Sequence, residues 1–126
     1  MDVNLDIIVS IPSKPLPESC VEGIAKIIRS IPEIYFAYLP ELFIPGQMDE
    51  ATLVLILVSD LKGEELAKIT YNMNSCICEL LPSDNEMNIL VVEPDHEIVQ
   101  PTIETGCLVE INNRKKFEQY IDLTNL

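Results

Sequence analysis

Apolar residues recur along the chain with two different periods, and the switches between those periods predict its elements. From Pro17 to Pro32 (PESCVEGIAKIIRSIP), Val21, Ile24, Ile28 and Ile31 stand three or four residues apart, which is one face of an amphipathic helix. Pro32 closes that helix, because proline has no N–H to donate and pushes the residue before it out of the α region. Ahead of it, residues 5–11 (LDIIVSI) alternate as a strand, with Leu5, Ile7, Val9 and Ile11 on one face. A proline-rich connection leads to Pro17, which is placed to open the helix. After the helix, Ile34 to Ile44 reads as a second strand, carrying Tyr35, Phe36, Tyr38 and Phe43. Pro40 and Pro45 cannot donate to a ladder, so this strand is expected at a sheet edge or broken by a bulge.

A short acidic loop (GQMDE) precedes TLVLILV, which is apolar on both faces, as a central strand covered from both sides would be. The second helix carries the stripe Leu66, Ile69, Met73, Ile77 and Leu80, and Pro82 closes it. Ser83-Asp84-Asn85 then turns the chain into MNILVV, again apolar on both faces, and Pro94 stops it. The order βαββαβ predicts an α+β fold: a ferredoxin-like sandwich with two helices on one face of a mainly antiparallel sheet. One domain is expected over 1–126, with a core at 5–95 and an extra C-terminal segment at 96–126. That segment holds Ile98, Val99, Ile103, Leu108, Val109 and Ile111, then a helix-like run, RKKFEQYIDL. Since two strands are apolar on both sides, the second sheet face needs a cover. The tail, a second copy (a homodimer through that face) or a partner could supply it.

A length of 126 residues suits one domain with a real core. No run approaches the roughly 20 apolar residues that span a bilayer. The acidic start (MDVNLD) is unlike an export signal, so the four cysteines Cys20, Cys76, Cys78 and Cys107 are expected to be buried, reduced thiols of a cytoplasmic protein.

Net charge is −13, and the acid is concentrated: no Lys or Arg lies between Arg29 and Lys62 or between Lys68 and Arg114. Such a field repels phosphate backbones and anionic lipid, which argues against nucleic acid and membrane as partners. It would steer in a basic protein.

Catalytic chemistry finds few parts. His96, the single histidine, sits between Asp95 and Glu97 after the last core strand and reads as a solvated loop residue. Cys76 and Cys78 stand two apart on a helix and point in nearly opposite directions, so they cannot both grip one metal. Glu64 and Glu65 face the positive end of the second helix, which explains them without function. Asp49-Glu50 and Asp95-x-Glu97 lack the spacing of a calcium loop, and the glycines are scattered singly. No enzyme activity, cofactor or metal is expected.

The stretch SIPEIYFAYLPELFIP resembles the C-terminal domain of the enhanced serine sensitivity protein (SseB) family. The residues that carry the likeness are Pro15 and Pro17, Ile31-Pro32, Ala37-Tyr38-Leu39, Leu53 to Val58, Leu80-Leu81-Pro82 and Asn88 to Val92, across roughly residues 5–95. These motifs are structural, and the resemblance implies no catalytic residues.

Two functions are therefore weighed. One is a non-enzymatic acidic binding domain, most concretely an immunity-type protein that neutralises a basic toxin domain by docking on it. Its surface would combine aromatic anchors with an acidic rim: Glu33, Tyr35, Glu41, Phe43, Asp49, Glu50, Asp95 and Glu97. The other is an SseB-like accessory protein of amino-acid metabolism that binds a small molecule.

Overall fold

The computed structural model describes residues 7–13, 16–47, 49–80 and 87–124. The elements follow in the order β1 (Ile8–Ser10), α1 (Glu18–Arg29), β2 (Ile34–Tyr38), β3 (Glu41–Phe43), β4 (Thr52–Ser59), α2 (Gly63–Leu80), β5 (Met87–Val92), α3 (Val99–Thr105), β6 (Leu108–Ile111) and α4 (Arg114–Thr124). Leu5 and Asp6 of the expected first strand, and the 81–86 closure of the second helix, lie outside the described residues.

β4 is the axis of a six-stranded, mainly antiparallel sheet. β2 and β3 are two halves of one long strand antiparallel to it, with Tyr38 opposite Ile56 and Glu41 opposite Leu53. Leu39-Pro40 interrupts that strand, where the buried Pro40 offers its carbonyl to the Val54 N–H at 3.0 Å. The second strand is therefore interior and interrupted, not an edge. A bulge between Ile34 and Phe36 explains its burial. Ile34 faces one side of the sheet while Tyr35 and Phe36 both serve the other, and alternation resumes from Ala37.

β6 pairs with β2 and β1 pairs with β3, both antiparallel, while β5 runs parallel to β4 from Leu53↔Met87 to Val58↔Val92. This is not the ferredoxin-like order, in which the first strand would sit inside the sheet beside the third. β1 is only three residues long and flanks β3, while β6 from the tail takes the place beside β2. The tail is thus part of the sheet.

Helices cover both faces. Leu55 and Leu57 (both 0% exposed) pack under α1 and α2 with Ile24, Ile28, Met73 and Ile77. Val54 (4%) and Ile56 (0%) pack on the opposite face with Ile98, Val99 and Phe117 of the tail. Phe117 meets Phe36 edge to face at 5.3 Å. Of the three covers weighed for this face, the tail, a second copy or a partner, the chain's own tail supplies it through α3 and α4.

The tail is stapled to α1. Arg29 forks onto Glu110 Oε2 at 2.9 and 2.6 Å. The Asn112 amide donates to the Ile28 and Ile31 carbonyls at 2.7 and 2.9 Å, adding a second donor to each where the chain leaves α1. At the other end of α1, Pro17 is the N-cap and its carbonyl receives the Cys20 and Val21 N–H groups.

Three expectations need correction. Ile7 and Ile11 are 46% and 69% exposed, because β1 is an edge strand with one neighbour. β5 is not covered on both faces: Met87, Ile89 and Val91 pack on the α1–α2 side, but Asn88 and Leu90 are exposed. Cys76 is exposed, since the α2 stripe through Met73 and Ile77 points position 76 outward; Cys20 and Cys107 are half-buried, and the side chain of Cys78 lies outside the described residues. No helix among the described residues is long and apolar enough to cross a membrane.

Candidate functional site

Parallel pairing of β4 and β5 puts their carboxyl ends side by side, with the start of α2 between them. The residues that follow each strand therefore converge: Asp60 and Lys62 after β4, and Glu93, Asp95 and His96 after β5. Ser59, buried at the last position of β4, donates to the Glu33 carbonyl at 2.8 Å and accepts the Leu61 N–H at 3.2 Å. This fixes the α1–β2 turn to the same end. Glu33, Asp60, Glu93, Asp95 and Glu97 are all exposed there.

Lys62 lies among them, its Nζ 2.9 Å from Glu93. The hydrogen bond and charge of Glu93 raise its pKa, with Asp60 and Asp95 adding to the effect and partial desolvation opposing it. Its pKa is raised above an already basic value, so the ammonium stays charged and partly neutralises the carboxylates. A cleft of about 370 Å³ opens at this point, with Leu66, Leu90 and Val92 as apolar wall and Lys62, Glu93, Asp95 and His96 at its rim. His96 Nδ1 accepts the Ile98 N–H at 3.1 Å, so the ring helps shape the turn into α3. Among the described residues no group of three or more His, Cys, Asp or Glu side chains could hold a metal ion.

Tyr35 lies on the other side of this end and is held from several directions. Its hydroxyl donates to Asp60 Oδ2 at 2.6 Å, Lys116 Nζ lies 5.4 Å over its ring, and its carbonyl receives the Asn112 and Asn113 N–H groups. It is half-buried and bound up in the fold, which removes the freely presented anchor that its place on an edge strand would have made it. Arg114, Lys115 and Lys116 open α4 near Tyr35, against the helix dipole, and bound the acidic patch on the β6 side.

The expected surface splits in two. Glu33, Tyr35, Asp95 and Glu97 lie at this end. Glu41, Phe43, Asp49 and Glu50 lie at the other end of the sheet, where β3 turns into β4. At about 3.3 Å per residue along β4, the two groups stand roughly 20 Å apart. Glu41 accepts from Ser13 at 3.1 Å, Phe43 is half-buried opposite Ile8, and Asp49 and Glu50 are exposed in the hairpin loop. Asp60, Lys62 and Glu93 were missing from the expected set. Each follows a largely apolar strand, and a parallel neighbour relation between those strands would have pointed to them.

Comparison with protein-family models, with curated proteins and with solved structures finds no match. The likeness to the SseB C-terminal domain therefore stands on the quoted residues alone.

Proposed function

We propose that this protein is a non-enzymatic binding module of the cytoplasm that docks a basic protein partner at the carboxyl ends of β4 and β5. The observation that carries the reading is the convergence of Asp60, Glu93, Asp95 and Glu97 from two separate loops onto one exposed rim, with Lys62 as a cation inside it. Exposed carboxylates of that density set an attractive field for a cationic surface and speed encounter. An immunity-type role, in which the rim caps the basic active surface of a toxin domain, is its most concrete form.

The test starts from proteins captured on the purified chain from native lysate at low salt. The association rate of each purified candidate is then measured for wild type, for Asp95→Lys with Glu97→Lys, and for Asp49→Lys with Glu50→Lys. The two double variants carry the same change in net charge at opposite ends of the sheet. The reading requires that the first slow association far more than the second, and that rising salt slow the wild type. Equal effects, or a rate indifferent to salt, refute it.

A second reading is supported by the cleft itself. Apolar Leu66, Leu90 and Val92 below a rim of both charges suit a small zwitterion, as an SseB-like accessory protein of amino-acid metabolism would bind. A rise in melting temperature with free amino acids, abolished by Lys62→Ala, would favour it over protein docking.

A further inference from the structure

The two edges of the sheet are built differently. On one side, β1 and β6 are three and four residues long and the Leu39-Pro40 break separates them, which blunts that edge against pairing. On the other side, β5 runs six residues in unbroken parallel register with β4 and pairs with no second strand among the described residues. Its sequence, MNILVV, contains no proline and no charge, and its register has no bulge. Leu90 in its middle is 38% exposed and lines the cleft. None of the usual protections of a sheet edge is present among the described residues. A row of backbone donors and acceptors beside an exposed leucine is a template for another strand.

We propose that β5 is the docking strand of this protein, and that its partner adds an extended segment with basic residues beside a short apolar or β-branched run. This rests on the acidic docking reading and gives it a geometry. Charge decides between occupants. A second copy would bring an equally acidic chain to this edge, since each copy carries −13. Like charges repel, so that pairing is disfavoured. A basic segment lying along the same edge passes Glu93 and Asp95 at the carboxyl end of β5, where Lys or Arg finds opposite charge. Main-chain hydrogen bonds supply the attachment, and the acidic rim selects the partner.

The experiment uses the full chain, isotope-labelled for amide exchange, and a blocked peptide with lysine at each end and alternating valine and threonine between. A peptide with glutamate ends is the control. The lysine peptide should bind, protect alternate amides of β5 from exchange, and lose about tenfold or more of its affinity in Leu90→Lys. Leu90 is partly exposed, so that variant should fold, and its unchanged melting temperature checks this. Equal binding of the glutamate peptide refutes the charge selection. Self-association with β5 protected, seen by sedimentation, makes a second copy the occupant and refutes the proposal. Shifts confined to residues 93–97 while β5 amides still exchange remove strand addition and leave the acidic docking surface standing. No binding by either peptide removes strand addition, and the docking surface is then judged by its own charge-reversal rates.

Discussion

Replacing Asn112 tests whether the tail is an integral part of the fold. Its side-chain amide donates to the carbonyls of Ile28 and Ile31, joining the turn after β6 to the end of α1 across more than eighty residues of sequence. In Asn112→Ala both carbonyls keep one other donor, the Ile31 and Ile34 N–H groups. The loss is therefore the net worth of two hydrogen bonds and not the burial of an orphan acceptor. At about 0.5–1.5 kcal/mol each, the variant should lose about 1–3 kcal/mol. The lower half of that range is expected, since Asn112 is half-buried and water can reach the site. In a domain of this size that is a fall of roughly 3–10 °C in melting temperature. Asn112→Asp keeps the shape but replaces the donor by a charge that faces two carbonyls, so it should cost more than alanine at neutral pH.

The sign with pH follows. The folded state disfavours the ionised form of the new carboxyl, so its pKa lies above its unfolded value near 4. The extra penalty of Asp over Ala is then absent at low pH and grows as pH rises through that value. Urea denaturation of both variants at matched pH cancels the protein's general acid response, and an unchanged slope would show that only stability has moved. If both variants melt with the wild type, or if the Asp–Ala gap does not depend on pH, the tail is not held to α1 as described.

Gly106 ends α3 in the left-handed region at φ 73°, with open space where a Cβ would stand, so Gly106→Ala should cost about 1 kcal/mol from backbone strain alone and Gly106→Asn less, by thermal denaturation. Tyr38 is buried, and burial, with the nearby Cys107 adding, pushes its phenol up to about 12. Its contribution to stability is therefore complete below the unfolded value of 10.0 and is lost as pH rises from there toward 12. Phenolate absorbance should show one tyrosine titrating late, and Tyr38→Phe should remove it along with that part of the alkaline loss. Cys76, exposed on α2, should react with a thiol reagent in the native protein well before Cys20 or Cys107. Equal rates would mean that the outward face of α2 is misassigned.

Much of the architecture was legible from local rules, because burial imposes a period on each element. The stripe through Ile24 and Ile28, the two-sided burial of Val54 to Val58 and the end of α1 just before Pro32 all follow from side-chain direction and backbone chemistry within a few residues. What local pattern cannot carry is adjacency. Nothing in MNILVV distinguishes a covered interior strand from a half-covered edge, since apolar runs look alike until their neighbours are known. The tertiary structure decided that β6 takes the place beside β2 and leaves β1 outside. It also decided that α3 and α4 cover β2 and β4 but stop short of Leu90. The site divides in the same way. The acidity of the chain could be read directly, since charge is a property of single residues. That Asp60 and Glu93 meet while Asp49 and Glu50 lie at the far end of the sheet depends on strand pairing and direction, which bring together residues more than thirty positions apart. Only the folded chain sets those distances.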